Sequence, residues 1–154
     1  MIKLIQGNIF DTTLEIICHG VNCRGGFGSG LAGQIAKRWP RVRQAYLYKF
    51  NKEGWELGDM QLVFSTDKFE LPIIANIATQ KNYGYDGNLY ADYNAIRTGL
   101  KKVFDYAARC NLSIAMPKIG AGLAGGDWNV ILKIIQKISL SYPNVVVEIY
   151  YYDK

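Results

Sequence analysis

Short β-branched runs alternate along this chain with longer stretches of helical spacing. Residues 2–5, "IKLI", are apolar and partly β-branched, which predicts a first strand broken by Gly7-Asn8. Residues 14–21, "LEIICHGV", predict a second, mostly buried strand. Leu31, Ile35 and Trp39 recur at spacings of four, so a helix is expected over residues 31–39. Pro40 ends or redirects it, and "RVRQAYLYKFNKEG" predicts another helix stopped at Gly54. Strands are expected over residues 60–65 and 69–78, joined by the turn-like "TDK". "LPIIANIA" is apolar almost throughout, which suits a central strand covered on both faces. The polar loop "TQKNYGYDGN" follows. Tyr93, Ile96, Leu100, Val103 and Phe104 are spaced by three, four, three and one, predicting an amphipathic helix over residues 90–109. A short strand at 113–116 precedes a helix capped by Asp127 and running to residue 140, and "NVVVEIYYY" predicts a final strand.

Strands alternating with helices predict an α/β fold with the sheet covered on both faces. There is no internal repeat, linker or low-complexity tail in the 154 residues, so a single domain over 1–154 is expected. No apolar run approaches the roughly 20 residues that cross a bilayer. The first residues read as a strand, not a secretion signal, so a cytoplasmic protein without membrane partners is expected. Cys18, Cys23 and Cys110 are odd in number and unevenly spaced, a poor disulfide framework. With one histidine they also make a poor zinc site, and no metal or cofactor is expected. The formal net charge of +5 suits an anionic partner, and equally an ordinary solvated surface.

The candidate chemistry begins at Asn22, where five glycines fall within the twelve residues ending at Gly33. A second glycine-rich loop, "PKIGAGLAGG", follows the strand at 113–116. Each loop follows a strand and precedes a helix. Ligands of open α/β sheets gather at the carboxyl ends of strands. There, glycines let backbone amides approach an anion beside the bare N–H groups of a helix start. Two such loops suit a diphosphate, one on each side; read more simply, they make tight turns. Neither is a Walker A loop, because G-K-[ST] is missing.

His19, the single histidine, ends a buried strand three residues before Asn22. Pattern alone leaves it open as a packed core residue or as a general acid, base or nucleophile. The loop "TQKNYGYDGNLYADY" offers Gln80, Lys81, Asn82, Tyr83, Asp86 and Asp92, either as a solvated segment or as a lid carrying groups to a substrate. Asp92 and Asp127 also suit the first turn of a helix.

"IQGNIF", "HGVNCRGGFGSGLAGQIAKRWP" and "PKIGAGLAGGDW", in that order, resemble the opening turn and the two ligand loops of the macro domain family. The resemblance extends over nearly the whole chain. It implies a three-layer α/β/α sandwich with a mixed, mainly parallel sheet that binds ADP-ribose. The chain is similar to the branch holding ADP-ribose 1″-phosphate phosphatases and the terminal ADP-ribose protein glycohydrolase. The phosphatases carry a histidine where His19 stands. The glycohydrolases carry a lysine directly after the strand-end threonine and an acid after the second loop's Gly-Leu. Here Gln80 follows Thr79, Lys81 comes one residue late, and Ala124 stands in the acid's place. Asn8 replaces the aspartate that many family members use toward the adenine amino group; its oxygen accepts without charge assistance.

The resemblance implies a phosphatase acting as a monomer on ADP-ribose 1″-phosphate. Asn8 and Ile9 would lie on the adenine side. The amides around Gly25, Gly26, Phe27, Gly28 and Gly30, and those of Ile119, Gly120, Ala121, Gly122 and Leu123, would hold the phosphates. Asn22 would contact the distal ribose, with Thr79 and Gln80 nearby. His19 would protonate the leaving oxygen or activate water, with Asp86 or Asp92 as a helping base. Two alternatives stand beside it: an ADP-ribosyl hydrolase acting on modified protein or nucleic acid through Lys81, and a reader that binds without chemistry.

Overall fold

The computed structural model describes residues 1–152 apart from Tyr85 and Leu123. Its strands are β1 (Ile2–Gln6), β2 (Ile16–Asn22), β3 (Met60–Phe64), β4 (Ile73–Gln80), β5 (Ile114–Pro117) and β6 (Val147–Tyr151). Its α-helices are α1 (Gly30–Arg38), α2 (Pro40–Lys52), α3 (Tyr93–Cys110) and α4 (Trp128–Leu140). The strands form one six-stranded sheet in the order β1-β6-β5-β2-β4-β3. Among the described strands the edge pair β3–β4 is antiparallel and the other strand pairs are parallel.

Strand alternation divides the apolar side chains between two cores. Ile16, Cys18, Ala75 and Ile77 pack with Ile96, Leu100 and Phe104 of α3 and Ile131 and Ile135 of α4. On the opposite face, Ile17, Val21, Ile74 and Ala78 pack with Ile35 of α1 and Val42 and Tyr46 of α2. The helices on both faces are those the sequence pattern predicts, and the three layers with a mixed sheet are those the family resemblance implies. β4 is buried at seven of its eight positions because both faces are covered and it lies between β2 and β3.

Local chemistry explains where elements begin. Asp92 caps α3 by accepting from the Ala95 N–H at 2.9 Å, so the helix begins three residues after the predicted start. Asp127 caps α4 in the same way through the Asn129 N–H. Pro40 occupies the first turn of α2, where its missing N–H has no consequence, and so starts that helix as well as ending α1.

β4 differs most from expectation. The strand predicted over 69–78 begins four residues later, because Phe69 takes a left-handed φ of 58° and Pro72 brings no N–H to a ladder. It also runs two residues further, into what reads as a polar loop. Val21 pairs with Ala78 but Asn22 with Gln80, so Thr79 is the extra residue of a β-bulge. β2, β4 and β5 run parallel, so their carboxyl ends lie at one edge of the sheet, and the loops after β2 and β5 rise there.

Candidate functional site

Asn22 organises the first glycine loop with its own side chain. Its Oδ1 accepts from the N–H groups of Arg24 (2.9 Å) and Gly26 (3.1 Å), and its Nδ2 donates to the Gly26 carbonyl (2.8 Å). From α2 beneath, the Tyr46 hydroxyl accepts from the Gly25 N–H at 3.1 Å and donates to Asn22. Tyr46 is fully buried between the rings of Phe27 and Trp55. Burial pushes its hydroxyl up to about 12, so it stays protonated and able to donate.

The loop feeds α1, which starts at Gly30 with no side-chain capping bond, unlike α3 and α4. Its first-turn residues Gly30, Leu31 and Ala32 line a cavity, so amide N–H groups and the helix dipole stand at its wall. The second loop closes on itself where the Gly126 N–H donates to the Gly120 carbonyl at 2.8 Å. Gly120 has φ 77°, and a side chain there would strike Ile96.

The cavity, about 570 Å³, sits over the carboxyl ends of β2, β4 and β5 between the two loops. That size is ordinary for a small-molecule site. It brings together His19, Asn22, Gly26, Phe27, Gly28, Gly30, Thr79 and Gln80 with Ile119, Gly120 and Gly122 of the second loop. Lys118 and Ala124 also line it, as does Tyr83, whose ring covers Gly26. Sequence reading carried Tyr83 only as part of a loop and missed Lys118. An exposed lysine beside a glycine loop is the one signal that marks it. Its ammonium lies over the rings of Tyr151 and Trp128.

Several expected site residues stand elsewhere. Asn8 accepts from the Phe10 N–H at 2.9 Å and so caps a one-turn 3-10 helix, Ile9–Asp11, while Ile9 is buried in the α1–α2 core. Gly25 turns its N–H to Tyr46 instead of the cavity, and Ala121 packs against the α3–α4 core. Lys81 is exposed and outside the lining, with its carbonyl accepting from the Cys23 N–H at 3.3 Å. Asp86 lies in an exposed turn; the Tyr90 hydroxyl donating at 2.8 Å holds its carboxyl below the ordinary range. Asp92 is a helix cap. Neither aspartate lines the cavity. Leu123 lies outside the described residues.

His19 is 2% exposed and lines the cavity. Its Nε2 lies 2.5 Å from Asn76 Oδ1, and its ring meets Phe27 edge-on. Burial pushes the imidazole down to about 4 against the opposing pull of the Asn76 hydrogen bond. It is therefore neutral near pH 7 and begins any proton transfer as a base. The Gln80 Nε2 donates to the Asn82 carbonyl at 2.8 Å. Thr79 is buried against Gly20, its hydroxyl without a partner among the described residues. None of the described side chains lining the cavity is a carboxylate.

Comparison with known proteins agrees with this geometry. A family model for the Macro domain matches residues 18–135. The chain is 26% identical to an ADP-ribose 1″-phosphate phosphatase of Candida albicans, over 96% of this chain and 99% of that one. It is equally 26% identical to a DNA ADP-ribosyl glycohydrolase of Thermus aquaticus, but spans only 41% of that protein. Among solved structures, the macrodomain of Mycobacterium tuberculosis DarG superposes with a TM-score of 0.86 at 25% identity, covering 99% of each chain. With the family model matched over most of its length, the chain belongs to the macro domain family.

Proposed function

We propose that this protein binds ADP-ribose in the cavity between its glycine loops and hydrolyses the terminal phosphate of ADP-ribose 1″-phosphate. One observation carries the reading: among the described residues, His19 is the only imidazole, thiol or carboxylate that lines the cavity. The first turn of α1 at the cavity wall and the glycines of both loops support the placement of phosphates there.

In this scheme a water attacks phosphorus as the bond to the ribose C1″ oxygen breaks. His19 takes the water's proton and returns it to that leaving oxygen, giving ADP-ribose and inorganic phosphate. Loop amides and the Lys118 ammonium offset the charge that develops on the phosphoryl oxygens. The scheme uses no metal.

The DNA ADP-ribosyl glycohydrolase relatives and the net charge of +5 favour a second reading, removal of ADP-ribose from modified nucleic acid or protein. That chemistry would call on Lys81, whose exposed position outside the cavity argues for the phosphatase.

Phosphate release from ADP-ribose 1″-phosphate by the wild type, His19→Ala and Lys81→Ala decides between them. Turnover should be lost in His19→Ala and kept in Lys81→Ala. Undiminished turnover in His19→Ala overturns the assignment. Removal of ADP-ribose from labelled DNA that depends on Lys81 would establish the second reading. Calorimetry without any ADP-ribose binding would end both.

A further inference from the structure

Three polar side chains cross the sheet in register on the face that packs α2. His19 of β2 pairs with Asn76 of β4, and Asn76 pairs with Gln61 of β3. Gln61 Nε2 donates to the Ala45 carbonyl of α2 at 2.9 Å, and Asn76 Nδ2 donates to Gln61 Oε1 at 3.0 Å. Asn76 Oδ1 then faces His19 Nε2 at 2.5 Å.

The polarity of this ladder is dictated at its far end. A backbone carbonyl only accepts, so Gln61 must turn its amide nitrogen to Ala45 and its oxygen to Asn76. Asn76 must therefore donate to Gln61, which leaves its own oxygen for the histidine. Nε2 must carry hydrogen to satisfy that oxygen. Reversing any single amide would set oxygen against oxygen or N–H against N–H in a row that is buried at His19 and Asn76 and half-buried at Gln61, where unmet polar groups are disfavoured. The assignment thus follows from donor and acceptor chemistry, independently of how any one amide is drawn.

We propose that Asn76 and Gln61 are positioning residues that lock His19 as its Nε2–H tautomer, so that it meets the ligand through Nδ1 as a proton acceptor. This deepens the phosphatase reading and rests on it for its catalytic consequence; the lock itself belongs to the free protein. Neither Gln61 nor Asn76 lines the cavity, so each acts through His19.

The protein has one histidine, so a long-range proton–nitrogen correlation spectrum of the 15N-labelled full chain reports His19 alone. At pH 7 the wild type should show a protonated Nε2 and an unprotonated Nδ1. Gln61→Leu removes the acceptor that orients Asn76 and should populate the Nδ1–H tautomer. It should lower kcat for ADP-ribose 1″-phosphate at least fivefold with KM changed less than twofold. Gln61→Glu also loses the donor to Ala45 but keeps an acceptor for Asn76, and should restore both the tautomer and kcat. A merely structural role for Gln61 predicts that Leu and Glu behave alike, and that result overturns the proposal. So does an Nδ1–H tautomer in the wild type. A tautomer that shifts as expected while even the wild type releases no phosphate upholds the lock and overturns the phosphatase reading.

Discussion

The Tyr46 hydroxyl lies 2.7 Å from the carbonyl oxygen of Asn22 and 3.0 Å from its Oδ1, bridging α2 to the end of β2. Replacing Tyr46 with Phe keeps the ring packing but strands the buried Asn22 carbonyl and the half-buried Gly25 N–H. Leaving such groups unmet costs about 1–3 kcal/mol. Tyr46→Phe should lower the urea midpoint accordingly with an unchanged m-value, and weaken ADP-ribose binding by calorimetry. Equal stability would mean that the hydroxyl does not hold the loop.

Gly33 sets helix propensity against close packing. Alanine inside a helix is favoured over glycine by about 1 kcal/mol. A Cβ at Gly33, however, would sit 2.8 Å from the Gly28 carbonyl oxygen, a backbone atom of the first loop. Backbone cannot give way as a flexible side chain can, so the loop must shift. Gly33→Ala should retain the helical circular dichroism and lose roughly tenfold in ADP-ribose affinity, about 1.4 kcal/mol. Unchanged affinity would show that the loop tolerates the displacement.

The two aspartates of the tyrosine-rich loop separate a cap from a base. Asp92→Ala should cost about 0.5–2 kcal/mol of stability through the lost bond to Ala95, with turnover per folded molecule unaltered. Asp86→Asn should leave turnover unaltered as well. A hundredfold fall in kcat for either variant would return that residue to the chemistry.

His19 makes stability depend on pH in a definite direction. Its folded value of about 4 lies below its ordinary 6.5, so the unfolded chain binds the proton first as pH falls. Its contribution is present above 6.5 and is lost progressively as pH falls toward 4. Between pH 7 and 4.5 the wild type should lose roughly 2 kcal/mol more than His19→Gln, measured by urea unfolding at both pH values. Parallel losses in the two proteins would place the imidazole in a more solvated setting than the structure shows.

Features written in local chemistry were legible in advance. The glycine loops, the cap at Asp127, an acid near the start of α3, and a histidine at the mouth of the first loop each declare themselves within a few residues. Features made by register were not. The row of His19, Asn76 and Gln61 exists only because β2, β4 and β3 lie side by side. Tyr46 reads as an ordinary helical aromatic until α2 is laid under the loop. The capping bond of Asn8 to the Phe10 N–H was not read from the sequence either, because a one-turn 3-10 helix carries no periodicity.

The bulge in β4 carries a consequence for how such sites change over time. One residue separates the partners of Val21 and Asn22 on that strand. Removing the single codon of Gln80 would set Lys81 directly after Thr79, in the place along the chain that Gln80 now holds. A glutamine-bearing and a lysine-bearing version of this cavity are therefore neighbours in sequence space, one in-frame deletion apart.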